Sequence, residues 1–134
     1  MRKGPKDQNY VVDLCDEVLG EEALREHHFG WLRGDAGTTL PVDAYYPSAR
    51  LVLEYRERQH DEPVAIFDKP DQLTVSGVHR GEQRRIYDER REELIPANGL
   101  RLVIIRPSDL DANSRGRLRR NVEQDRAAIR NLLS

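Results

Sequence analysis

The run Leu40-Pro41-Val42-Asp43-Ala44-Tyr45-Tyr46, followed after Pro47-Ser48-Ala49-Arg50 by Leu51-Val52-Leu53-Glu54-Tyr55-Arg56, decides the fold. In its first part Leu40, Val42, Ala44 and Tyr46 alternate with Pro41, Asp43 and Tyr45, the period of a half-buried strand. The Pro-Ser-Ala-Arg link has turn chemistry and the second part is rich in strand-forming residues, so the two predict a β-hairpin. Strand side chains alternate, so Glu54 and Arg56 project from one face, an acid beside a base. A carboxylate buried in Leu51-Val52-Leu53-Glu54-Tyr55 costs several kcal/mol unless a cation compensates it. That cation is either a divalent metal or an arginine, Arg56 among them, in a structural ion pair. With Asp43 alongside Glu54, two anionic oxygen ligands would converge as Mg²⁺ requires, its other positions going to water and substrate phosphate. The Glu-x-Arg triplet alone carries no information, since it recurs at Glu82-Arg84 and Glu89-Arg91.

Outward from the hairpin, the first ten residues are polar with Gly and Pro and read as a mobile arm. Val11, Leu14, Cys15 and Val18 then fall on one helical stripe, and Leu24, His28, Trp31 and Leu32 on another. These predict a helix or bent helix pair over about residues 10 to 33. Pro63-Val64-Ala65-Ile66-Phe67 reads as a third strand. Arg80 to Ile95 has helical composition, with Pro96 and Asn98-Gly99 as stop signals. Leu100-Arg101-Leu102-Val103-Ile104-Ile105-Arg106 reads as a central strand buried on both faces. A final helix is expected over 114–133, where Arg115, Arg119, Arg126 and Arg130 would form a basic stripe beside an apolar one. That stripe is either a solvated face or a polyanion-binding surface. The expected architecture is one α/β domain spanning residues 1–134, a mixed sheet with helices around it.

The chain of 134 residues carries 22 basic and 24 acidic side chains, a formal net charge of -2. Taken alone this argues against a nucleic-acid partner. The charges are not evenly spread, however: residues 101 to 134 hold 8 basic against 4 acidic residues. No apolar run is long enough to cross a bilayer, and the single cysteine, Cys15, can form neither an internal disulfide nor a Cys-based zinc site. A cytoplasmic, intracellular protein without a membrane partner is therefore expected. His27-His28 has no ligand partner at helical spacing and reads as structural, as do Trp31 and Tyr10. Gly-rich phosphate loops and Ser or Cys nucleophile motifs are lacking.

Several segments together resemble a known family: Leu40 to Pro47, Leu51 to Glu54, Gln59-His60-Asp61-Glu62, Tyr87-Asp88-Glu89-Arg90-Arg91 and Gly99 to Ile104. In this order they look like the PD-(D/E)XK nuclease superfamily, in the branch of small restriction-endonuclease-like domains related to very-short-patch-repair endonucleases. The resemblance covers about residues 21 to 106. It implies a restriction-endonuclease-like mixed sheet with core order αβββαβ, here followed by a C-terminal helix, and a Mg²⁺- or Mn²⁺-dependent endonuclease acting on DNA. The implied metal ligands are Glu21, Asp43 and Glu54, with Arg56 and His60 completing the catalytic set. Arg56 stands where the superfamily usually has Lys; it keeps the charge but cannot accept a proton. The alternative is a catalytically silent nuclease-fold domain serving nucleic-acid binding or protein assembly. Arg80, Arg84 and Arg85, at the start of the helix after residue 79, and Arg115, Arg119, Arg126 and Arg130 are the expected contacts to the nucleic-acid backbone. One catalytic centre per chain implies a homodimer for double-strand cutting.

Overall fold

In a computed structural model, residues 6–57 and 80–134 are described. Helix α1 (Lys6–Leu19) leads into strands β1 (Leu24–Arg33), β2 (Thr39–Tyr46) and β3 (Leu51–Tyr55), then helix α2 (Arg80–Ala97), strand β4 (Arg101–Ile105) and helix α3 (Val122–Leu133). The fold is mixed α/β, with one sheet in the order β1-β2-β3-β4. The first three strands are antiparallel neighbours, whereas β4 runs parallel to β3. The Pro63 to Phe67 segment, expected as a strand, lies outside the described residues. No described helix is long and apolar enough to cross a membrane.

The expected hairpin is present. Tyr46 pairs with Leu51, Tyr45 with Val52 and Ala44 with Leu53. Arg50 closes the turn with φ 51 and donates its N–H to the Pro47 carbonyl at 3.1 Å. Every residue of β3 is buried, because helices cover both faces of the sheet. On one face Leu51, Leu53 and Tyr55 pack with Val11, Leu14 and Cys15 of α1 and Ile129 and Leu133 of α3. On the other, Val52 packs with Leu32, Leu40 and Ile95 of α2.

Two helical expectations fail here. Residues 6–10 belong to α1 rather than to an arm, and the helix stops where Gly20, at φ 70, donates to the Asp16 carbonyl. The stretch after it is β1, not a helix. Leu24, His28, Trp31 and Leu32 match helical spacing by coincidence, while His27, Phe29 and Trp31 alternate with exposed Glu26, His28 and Gly30. Phe29 and Trp31 stack at a centroid distance of 4.7 Å, and the strand pairs with β2 on either side of an irregularity between His28 and Arg33. Aromatic residues two apart suit a sheet surface better than a helix.

β4 differs from expectation in place, not in kind. Among the described residues its one strand neighbour is β3, so its hydrophobic run reflects helices on both faces: Val103 and Ile105 face α1 and α3, and Leu102 packs toward α2. α2 ends in a Schellman turn, with Leu100 N–H on the Ile95 carbonyl and Gly99 N–H, at φ 79, on that of Pro96.

The last helix begins only at Val122, capped by the Asn121 side chain, which accepts from Gln124 N–H. Residues 114–121 form a loop instead. The Asn113 side chain accepts the N–H groups of Arg115 and Arg117, and Gly116 takes φ 81. This local alternative to helical bonding explains why Arg115 and Arg119 do not share a helix face with Arg126 and Arg130.

α1 and α3 are joined through Asp125, which is fully buried and accepts Tyr10 O–H at 2.5 Å and Asp111 N–H at 2.9 Å. Removing its acceptors strands two donors, so Asp125→Ala should lower unfolding free energy by about 2–4 kcal/mol, and Tyr10→Phe by about 1 kcal/mol. Urea denaturation of the two variants checks this; equal, small effects would contradict the shared-acceptor role.

Candidate functional site

Past Ala44 and Leu53 the hairpin ladder gives way to side chains. Asp43 N–H donates to Glu54 Oε2 at 2.9 Å, and Tyr55 N–H donates to Asp43 Oδ2 at 2.8 Å. Each carboxylate thus serves the backbone of the opposite strand. The local sequence favours this splaying. Pro41 has no N–H to give a ladder, and Glu26, which falls opposite Asp43 in β1, takes φ 50. The side-chain sense of β2 also changes there: Leu40 and Val42 pack toward α2, but Ala44 and Tyr46 pack toward α1.

The two acids line a cleft of about 290 Å³ with Tyr55, Arg56, Glu57, Arg84, Asp88 and Arg91. Glu54 is only 5% exposed. Burial, and secondarily the charge of Asp43, lifts its pKa from 4.5 to about 7, against the lowering effect of Arg91, the Asp43 N–H and Arg56. Burial likewise raises the Asp43 pKa, opposed by the Tyr55 N–H and by Arg91 and Arg56. Nearby arginines therefore do not offset the full cost of two charges. Arg91 Nε lies 3.8 Å from Glu54 Oε1, while the same side chain is held by Asp88 Oδ1 at 2.9 Å and the Pro41 carbonyl at 3.1 Å.

Asp43 and Glu54 are thus brought together, as their places in the hairpin suggest. Glu21 is not with them: its carboxylate accepts Ser48 N–H at 3.4 Å, at the turn end of the hairpin. Arg56 is buried and lines the cleft, but it donates to Glu92 at 2.5 Å and lies 3.9 Å from Asp88. His60 and the Arg80 side chain lie outside the described residues. Arg84 lines the cleft, whereas Arg85 pairs with Glu82 and Glu89 along α2. Arg119 pairs with Asp111 and Arg126 with Glu17. Arg130 is exposed on α3, and Arg115 lines a second, larger cleft.

Asp88, Arg91 and Glu92 were not foreseen as part of the site. Their signal is the i, i+3, i+4 spacing of charges on α2, a helix with too few apolar residues to pack by hydrophobic contact alone. Among the described residues no group of three or more His, Cys, Asp or Glu converges as a metal site. The Asp43 and Glu54 pair still suits a hard divalent cation that keeps most of its waters. Asp43 Oδ1 and Glu54 Oε1 are the oxygens the backbone does not engage.

The chain matches no protein family and no solved structure. It is similar to uncharacterized protein 094L of Frog virus 3 (isolate Goorha), 30% identical over 67 residues, which make up 50% of this chain and 43% of the viral protein.

The raised carboxyl pKa values fix the sign of a pH effect. The folded protein keeps a proton on Glu54 between about pH 4.5 and 7, where the unfolded chain has lost it, so stability falls as pH rises through that window. In metal-free protein the loss should reach at most about 3 kcal/mol. Glu54→Gln, which keeps an acceptor for Asp43 N–H, should flatten the decline and add about 1–3 kcal/mol at pH 8. Chemical denaturation at several pH values measures both; parent stability rising from pH 5 to 7.5, with Glu54→Gln no more stable, would refute this electrostatic account.

Proposed function

We propose that this domain is a metal-dependent endonuclease of restriction-endonuclease-like fold that hydrolyses DNA phosphodiester bonds. The observation that carries the reading is the Asp43 and Glu54 pair, held by backbone bonds at the open end of a hairpin, short of cationic compensation and lining a cleft with Arg84 and Arg91. The observed sequence of elements, α, β, β, β, α, β and a last helix, supports the fold assignment, as do the hairpin positions of the two acids. Mg²⁺ or Mn²⁺ bound between them would lower the pKa of a water and offset negative charge building on the phosphate.

The chain's own residues supply position and charge. Asp43 and Glu54 are fixed by their backbone donors, so their geometry does not have to be organised at each turnover. Arg91 is held by Asp88 and Pro41 and in turn orients Glu54. Arg84, which lines the same cleft, would meet a phosphate oxygen. In the overall reaction one water adds across a P–O bond, leaving a phosphate monoester and a hydroxyl. Cutting both strands of a duplex calls for two copies of the chain.

One observation favours a second reading, a nuclease-fold domain that binds nucleic acid or assembles without cutting it. Arg56 is committed to Glu92 and Asp88, and a guanidinium cannot take a proton from water.

Supercoiled plasmid incubated with Mg²⁺ or Mn²⁺ separates the two readings. The nuclease reading expects nicked or linear product, reduced about 100-fold or more by Asp43→Asn and by Glu54→Gln. Mg²⁺ should also raise the melting temperature more at pH 8 than at pH 5, since cation and proton compete for the same carboxylates. Cleavage equal in parent and variants would remove these residues from the site; binding without cleavage would establish the second reading.

A further inference from the structure

The second cleft, of about 420 Å³, adjoins the first and shares Arg56 and Glu57 with it. Its other lining residues include Arg106, Ser108, Asn113, Ser114 and Arg115. Two features set it apart from ordinary surface. First, β3 and β4 are parallel, with Tyr55 level with Ile105, so the next residues, Arg56 and Arg106, lie on neighbouring chain ends. Arg56 N–H donates to the Ile105 carbonyl at 2.9 Å, which fixes that juxtaposition. Adjacent strands are about 4.8 Å apart, so two guanidinium-bearing residues are placed together at the carboxyl ends of parallel strands, where α/β sheets present their ligand crevices.

Second, the arginines differ in their partners. Arg25, Arg56, Arg85, Arg90, Arg91, Arg119, Arg120 and Arg126 all pair with carboxylates of the chain. Among the described residues no carboxylate pairs with Arg84, Arg106 or Arg115, nor with Arg33, Arg50, Arg117 or Arg130, but the first three are the ones that line the two adjoining clefts. Concave arginines without an internal anion call for one from outside, and planar guanidinium groups match phosphate oxygens. The hydroxyls of Ser108 and Ser114 and the lining Asn113 add neutral hydrogen-bonding groups of the kind that hold a nucleic-acid backbone.

We infer that this groove is a second phosphate-backbone subsite, in which Arg106 and Arg115 hold the nucleic-acid strand that continues beyond the phosphate at Asp43 and Glu54. The substrate is then a strand long enough to span both clefts. The subsite rests on the reading of the chain as a nucleic-acid-acting domain, but not on catalysis, so binding tests it separately. The contacts are to backbone phosphates and carry no sequence preference.

The test is fluorescence anisotropy with labelled 20-nucleotide single-stranded and duplex DNA in EDTA, over a range of NaCl concentrations. Arg106→Gln, Arg115→Gln and the double variant are compared with the parent and with Arg50→Gln, an equal charge loss at the hairpin turn away from both clefts. The double variant should lose about 10-fold or more in affinity, and each single substitution should reduce the salt slope by about 1. Arg50→Gln should change affinity less than 2-fold, and thermal melts should confirm that all variants fold. Loss equal in Arg50→Gln and the groove variants, or parental affinity in the double variant, would overturn the subsite; so would a parent that binds neither DNA form. Cleavage assays on the same proteins distinguish the two failures: plasmid cutting with no effect of the groove variants rejects only the subsite, and groove-dependent binding without cutting rejects only the nuclease.

Discussion

At the open end of the β2–β3 hairpin, two main-chain N–H groups are satisfied not by carbonyls but by the carboxylates of Asp43 and Glu54. Buried backbone donors must find acceptors, so these acids cannot be exchanged for apolar residues without also solving a hydrogen-bonding problem. The same bonds hold two negative charges together where burial disfavours both. Local structure and electrostatics therefore pull against each other at one rung of the sheet. β3, buried along its whole length, transmits that position to β4 and to the paired chain ends at Arg56 and Arg106.

α2 acts as the electrostatic wall of this arrangement. It meets the sheet partly through Ile95 and partly through a charged face on which Asp88, Arg91 and Glu92 reach the hairpin and Arg56. Its other contacts fix how close it lies. Tyr87 O–H accepts Asp35 N–H at 2.9 Å, and Arg90 grips Asp35 and the Arg33 carbonyl. Gly34 lies so close to Tyr87 that an added Cβ would meet its hydroxyl at 2.9 Å. This close approach at the β1–β2 turn anchors α2, the helix that carries Arg91 to within 3.8 Å of Glu54.

How far the sequence disclosed this differs from element to element. The hairpin was legible because alternation, turn residues and β-formers agree over two adjacent runs, and Glu54 stood out because a charge in an apolar strand demands an explanation. β1 was misread because four residues happened to satisfy helical spacing while the stronger signal, His27, Phe29 and Trp31 two apart, lay on the other parity. The basic stripe was misread because a helical count across 114–121 ignored the Asn113 turn and Gly116. Arg91 and Asp88 were hidden for another reason. Their role comes from contacts across about 30 to 50 positions in sequence, and no local pattern says which face of a polar helix will meet a buried acid.

The net charge of -2 looks different once partners are assigned. Among the described residues many acids outside the cleft are paired with arginines, so their charge is offset within a few ångströms and contributes little at a distance. Among the described residues, the charges left to act on a ligand are those the fold does not pair. Undercompensated carboxylates sit at the hairpin fork, and Arg84, Arg106 and Arg115, which pair with no carboxylate among the described residues, line the clefts around it. On the proposed nuclease reading, a cation at the fork would reduce the negative charge beside these arginines and so would couple divalent-metal binding to polyanion binding at equilibrium. Near-neutral overall charge would then limit indiscriminate attraction to polyanions, while the cleft arginines would, on the same reading, keep a place for one.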